Sequence, residues 1–193
     1  MASPVAESLL GALAAITSAL EDANAPAAVV GGVAVSLLGR TRFTRDIDVL
    51  VDLDETRWPD LIEAARRAGI VPRMEDALEF ARRSRVLLLG HVPSQIDIDI
   101  ILGGLPFERS AVAEAQPHRV GGLVIRLPRV EHLMIMKAVA QRPQDLLDLE
   151  GLIAAHPEAD LAMVRRWVAE FSMAATIPSL LEEFDRLVIR QGR

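Results

Sequence analysis

Asp46 and Asp48 stand two residues apart in the run Phe43-Thr-Arg-Asp-Ile-Asp-Val-Leu-Val51, a short way downstream of a Gly31-Gly32 pair. The surrounding Ile, Val and Leu read as a buried strand. Strand side chains alternate between faces, so both carboxylates leave one face, roughly 7 Å apart. Like charges that close repel, and either one takes up a proton or the pair recruits a cation. A hard divalent ion with oxygen ligands satisfies such a pair. Asp97 and Asp99 repeat the spacing in Ile96-Asp-Ile-Asp-Ile-Ile101. Small residues at a strand-to-helix turn let backbone N–H groups approach an anion, and a helix N-terminus favours negative charge. A diglycine turn, a carboxylate pair and a third carboxylate from a neighbouring strand are together what metal-dependent chemistry at a phosphate needs. Each piece alone has a plainer reading, the diglycine as a simple turn and Asp-x-Asp as an exposed edge. Two such strands in one small domain are harder to dismiss, because burying unpaired carboxylates costs several kcal/mol.

Positioning these acids requires strands set among helices. Apolar residues recur at helical spacing from about 4 to 22 (Val5, Leu9, Leu10, Leu13, Ile16, Leu20), with Ser3-Pro4 as a start and Asn24-Ala-Pro26 as a break. Strands are expected over 27–30, 47–51, 86–89, 95–102 and 123–127, and helices over 33–38, 57–68, 75–83 and 106–115. Gly39 and Gly69 serve as helix stops. After Pro128 the pattern is helical throughout, over 130–140, 144–155, 160–171 and 178–190. The expected fold class is α+β: a small mixed β-sheet core with flanking helices over 1–128, then a helical bundle over 129–193, packed on it through a linker too short to let it drift.

Composition narrows the class. The chain has 193 residues, 51% of them apolar, and a net charge of −6. That balance argues against a general nucleic-acid coat, which needs a basic surface, but leaves room for a local basic patch. There is no cysteine, hence neither a disulfide framework nor a thiolate metal site. The N-terminal stretch lacks the basic leader of a signal peptide, and no run of 18 apolar residues offers a membrane span, so a cytoplasmic protein is expected. His91, His118, His132 and His156 show no metal-binding spacing, and no Gly-x-Ser-x-Gly turn supports a serine hydrolase. Arg66-Arg67 and Arg82-Arg83 read as solvated helix faces that can help hold an acceptor.

The run from Val29 to Val51, Val-Val-Gly-Gly-Val-Ala-Val-Ser-Leu-Leu-Gly-Arg-Thr-Arg-Phe-Thr-Arg-Asp-Ile-Asp-Val-Leu-Val, resembles the signature of the DNA polymerase β-like nucleotidyltransferase superfamily. Within it, the chain is similar to the AbiEii-type toxins of type IV toxin–antitoxin systems. That group has a Gly-Gly or Gly-Ser turn, an Arg-rich lead into Asp-x-Asp, and a third Asp on a later strand. Here the later strand reads Ile98-Asp-Ile-Ile-Leu-Gly-Gly-Leu-Pro-Phe-Glu108, and by resemblance Asp99 rather than Asp97 is the third acid. The similarity continues through 131–148, where the helix bearing Lys137 and the Arg142-x-x-Asp145-Leu element match the family, so that it spans about 27–153.

The resemblance implies an enzyme that moves a nucleoside monophosphate from an NTP to a hydroxyl acceptor and releases pyrophosphate. Two Mg²⁺ ions, roughly 3.5–4 Å apart, are implied at Asp46, Asp48 and Asp99, with Asp99 also drawing the proton from the hydroxyl. Gly31 and Gly32 are implied to hold the triphosphate. Lys137, the only lysine in the chain, is either a triphosphate contact or a snorkelling surface residue, and the resemblance chooses the former. Asp145 either orients Lys137 or Arg142 or caps a helix. Arg40, Arg42 and Arg45 either keep a loop soluble or supply one residue, Arg42 first, to meet phosphate or balance the acids, and Thr44 either meets phosphate or metal-bound water or merely favours the strand. The acceptor is a tRNA, a protein or a small molecule such as an antibiotic, and a cognate antitoxin is an implied partner. A binding module without catalysis and a metal-dependent hydrolase are the competing classes.

Overall fold

The computed structural model describes residues 4–42 and 44–192, with the side chains of residues 4 and 5 left out. Ser3 and Phe43 lie outside the described residues. Helix α1 (Pro4–Asp22) leads to β1 (Ala27–Val30), which passes directly into α2 (Gly31–Leu38). Then come β2 (Asp46–Val51), a 3₁₀ turn at Glu55–Arg57, α3 (Trp58–Arg67), β3 (Ile70–Pro72), α4 (Ala77–Ser84), β4 (Val86–His91) and β5 (Ile96–Leu102). Helix α5 (Pro106–Ala113) and the strands β6 (Gln116–Val120) and β7 (Leu123–Leu127) precede four helices: α6 (Val130–Ala140), α7 (Pro143–Ala155), α8 (Leu161–Ala175) and α9 (Ser179–Arg190). The fold is α+β as the sequence implies, a mixed sheet followed by a helical region.

The chain divides into two compact units, Met1–Val33 with Phe43–Pro128, and Ala34–Arg42 with Arg129–Arg193. In the first, five strands lie in the order β1-β2-β5-β4-β3. Strands β2 and β5 run parallel, and the other neighbours are antiparallel. Ile47, Val49, Ile98 and Ile100 are fully buried on one face of the central pair, and Leu87, Leu89, Trp58, Leu61 and Ile70 complete the core. Each such side chain contributes about 1.5–3 kcal/mol by leaving water. Two strands go beyond the sequence expectation. β3 has three residues, too few for a periodic signal. β6 carries Pro117 and no fully buried residue, and it pairs with β7 through Gly121-Gly122, whose φ angles of 56° and 84° suit glycine.

In the second unit α6 is the central helix, buried on every side, with Leu133, Met134, Ile135 and Ala138 in the core. Leu149, Leu152 and Ile153 of α7, Val164 and Val168 of α8, and Phe184 and Leu187 of α9 complete that core. Gly151 of α7 lets the 34–42 segment approach, since a Cβ there would stand 3.2 Å from Arg40 Cγ. The Asp160 carboxylate caps α8 by accepting from the Met163 N–H at 2.8 Å. Among the described residues no helix is long and apolar enough to cross a membrane.

Candidate functional site

The parallel pairing of β2 with β5 decides the geometry of the first unit's acids. The register sets Asp46 beside Asp97 and Asp48 beside Asp99. Residues paired directly across parallel strands share a face, so four carboxylates form two rows on one side of the sheet. They are spaced about 5 Å across the strands and about 7 Å along them. The opposite side carries the buried isoleucines and valines. The two rows differ in depth. Asp46 and Asp97 are exposed, whereas Asp48 and Asp99 are half-buried. The first half of β2 alternates as a strand with one wet face, and only its second half is covered on both sides.

Each row has its own supports. The buried Thr44 hydroxyl donates to Asp46 Oδ1 at 2.6 Å, so in this structure Thr44 orients the first acid. Asp48 sits level with Val30, the last residue of β1, and its carboxylate lies over Gly31. A Cβ on Gly31 would stand 2.5 Å from Asp48 Cγ, and the Gly31 φ of 59° is one that side-chain-bearing residues rarely adopt. Residue 31 must therefore be glycine for two reasons, and the opening N–H groups of α2 lie beside a carboxylate. Burial pushes the Asp99 carboxyl above the ordinary carboxylate range. The Arg73 charge opposes that push, and the charges of Asp46 and Asp97 add to it.

Arg73 is the residue that sequence reasoning missed. It follows β3, and its guanidinium donates to Asp97 Oδ2 at 2.7 Å and to Asp99 Oδ1. The side chain passes over β4 at Gly90, which pairs with Asp97 and has no side chain to block the route. A glycine inside a strand often marks such a close approach, and Gly90 was the one available signal.

The second unit holds the other expected residues in a cluster of charges. Lys137 Nζ donates to Asp145 Oδ1 at 2.8 Å and lies 3.0 Å from Asp148 Oδ2. All three side chains are almost wholly buried. Arg142 Nε donates to Asp145 Oδ2 at 2.6 Å, and Arg42 Nε lies 3.1 Å from Asp148 Oδ1. Ser36 holds the Arg42 backbone through its hydroxyl. Asp145 thus pairs with both Lys137 and Arg142, and Lys137 is a buried residue. Burial alone would raise the Asp145 carboxyl, but hydrogen bonds from Arg142 and Lys137, with their charges, outweigh it and hold it below the ordinary range. Asp148, which the sequence reading passed over, completes the cluster. Its signal was the three-residue step from Asp145, which puts both acids on one helix face.

The first-unit acids supply only hard oxygen donors on a shared face, the donor chemistry that Mg²⁺ takes, and the missing side chain of Gly31 is what lets the Asp48 carboxylate stand there. Among the described residues no three acidic or histidine groups already surround a common point. Asp46 is turned toward Thr44 and Asp99 toward Arg73. Donor type and shared face suit the metal, although the donors are not gathered round one point in this structure. The histidines play other parts, as with the buried His91, whose Nδ1 lies 2.7 Å from Ser94 Oγ.

A family model described as nucleotidyl transferase AbiEii toxin, type IV TA system, matches residues 12–191. No curated protein sequence gives a significant match. Several solved structures share the fold. The antibiotic-resistance factor ANT(2'')-Ia in solution aligns with a TM-score of 0.59 and 17% identity, over 86% of this chain and 92% of that one. Its crystal structure with adenylyl-2''-tobramycin gives 0.58 and 18%, over 88% and 98%. An antigenic nucleotidyltransferase-like protein from Paracoccidioides brasiliensis gives 0.55 and 14%, over 96% and 94%.

Proposed function

The chain belongs to the AbiEii nucleotidyl transferase toxin family of type IV toxin–antitoxin systems, and from that membership we propose a Mg²⁺-dependent transfer of a nucleoside monophosphate from an NTP to a hydroxyl acceptor. The observation that supports this most is the acid face, where Asp48 lies level with Asp99 and over Gly31. In the proposed reaction the acceptor oxygen bonds to the α-phosphorus, the bond to pyrophosphate breaks, and the acceptor proton passes to Asp99. The raised affinity of Asp99 for a proton suits a general base. Mg²⁺, when bound by Asp46, Asp48 and Asp99, would neutralise phosphate charge and polarise the phosphoryl oxygens. Thr44 keeps the Asp46 carboxylate aimed, and Gly31 and Gly32 offer backbone donors to the phosphates.

By resemblance Lys137 contacts the triphosphate, and Arg42 and Asp145 are further candidates for nucleotide binding. In their cluster Arg42, Lys137 and Arg142 gather about Asp145 and Asp148, and such cations would favour a phosphate. Family membership favours a macromolecular acceptor, a tRNA or a protein, and a cognate antitoxin as partner. A small cationic acceptor is the second reading, favoured by the exposed Asp46 and Asp97 and by the net charge of −6.

Incubation of the pure protein with each labelled NTP, Mg²⁺ and cell extract identifies the labelled fraction. The double change Asp46→Asn with Asp48→Asn is expected to lower transfer at least about a hundredfold with the fold intact by circular dichroism. Retained transfer refutes the assignment of these acids.

A further inference from the structure

We propose that Arg73 is a built-in counter-cation of the acid face, holding Asp99 and Asp97 before a divalent ion arrives and yielding Asp99 to it. It is a positioning residue that sets how much metal the site requires. The inference rests on the metal-dependent reading above and deepens it.

The guanidinium bridges two carboxylates of one strand, a span that a compact ammonium covers poorly. The carboxylate oxygen it takes from Asp99 belongs to the acid assigned to metal and proton. A cation already at that oxygen repels a second one arriving, so the two compete. Arg73 can also leave, since its side chain and that of Asp99 are each 32% exposed, unlike the buried Lys137 cluster. Its stem crosses Gly90, which faces Asp97 in the register; a Cβ there would make an ordinary contact at 3.7 Å from Arg73 Cγ, so only a branched or larger side chain would crowd the arginine. The exposed partner, Asp97, gives the guanidinium a place to remain when Asp99 turns to metal. This explains why a fourth carboxylate stands on the face when three suffice for the chemistry.

Mn²⁺ titration of the full chain, read by electron paramagnetic resonance without nucleotide, tests the competition. Arg73→Gln is expected to bind Mn²⁺ at least about fivefold tighter than wild type, the scale of an ordinary coupling between two sites. Arg73→Lys, which keeps the charge but spans the two carboxylates poorly, is expected to fall between wild type and Arg73→Gln. Gly90→Val leaves the arginine in place but blocks its path, and should also tighten Mn²⁺ binding, which covers the case of a poorly folded Arg73→Gln. Metal-free Arg73→Gln should melt below wild type and gain more from added Mn²⁺. Mn²⁺ binding that Asp46→Asn abolishes, but that Arg73→Gln and Gly90→Val leave unchanged or weaken, overturns the counter-cation role and leaves the metal reading standing. No Mn²⁺ binding in any form overturns both.

Discussion

The Asp48 carboxylate occupies the space where a side chain on residue 31 would begin, so Gly31→Ala is a small change with two costs. A left-handed backbone costs a non-glycine residue about 1–2 kcal/mol, and in a chain of this size that lowers Tm by roughly 2–8 °C. The methyl group also displaces Asp48, so transfer should fall further than the lost stability explains. Calorimetry and the labelled-NTP assay separate the two effects. Gly32→Ala is the control, because Gly32 is not among the positive-φ glycines, and a melting loss equal to that of Gly31→Ala would contradict this account. At this scale the four acids were legible because a two-residue step on a strand fixes a face. Arg73 was not, because it reaches Asp99 only through two strand pairings, β3 with β4 and β4 with β5. No local spacing encodes such a meeting.

Helices α6 and α7 are joined by charge as well as by apolar packing. Lys137→Met keeps the bulk but strands Asp145 and Asp148 in a buried place, and is expected to cost about 3–5 kcal/mol in urea unfolding. A cost under about 1 kcal/mol would show the cluster to be well solvated. The depressed Asp145 carboxyl fixes the pH dependence. A carboxyl with a lowered folded-state value contributes stability that is full above its unfolded value and is lost as pH falls through the folded one. Asp145→Asn should therefore lower stability at neutral pH and flatten the acid limb of the urea midpoint, whereas an unchanged acid limb would assign that loss to other groups. The long helices were readable from their period. The burial of Lys137 was not, because α6 is covered all round and has no polar stripe against which an inward lysine stands out. Strand β6 was hidden by its proline and its polar residues, although the Gly121-Gly122 turn that makes its hairpin lay in plain view.

For the molecule as a whole, the sheet order sets a gradient of stability within the first unit. β5 is hydrogen-bonded on both sides, by β2 and β4, while β6 is an outer strand of a two-stranded ribbon. Amide hydrogen exchange should be slowest in β5 and β2 and fast in β6, and equal protection of β6 would contradict the gradient. Composition placed the chain among ordinary globular proteins, but it carried no trace of which strand is central, since that depends on long-range pairing. The same order reaches into biosynthesis. β5 is last of the five strands in the chain, yet it belongs between two earlier ones. A polypeptide still growing on the ribosome owns half of its acid lattice and cannot assemble the rest until Ile96–Leu102 has emerged. An unfinished or clipped copy that stops short of that segment lacks Asp97 and Asp99 and is expected to be inert.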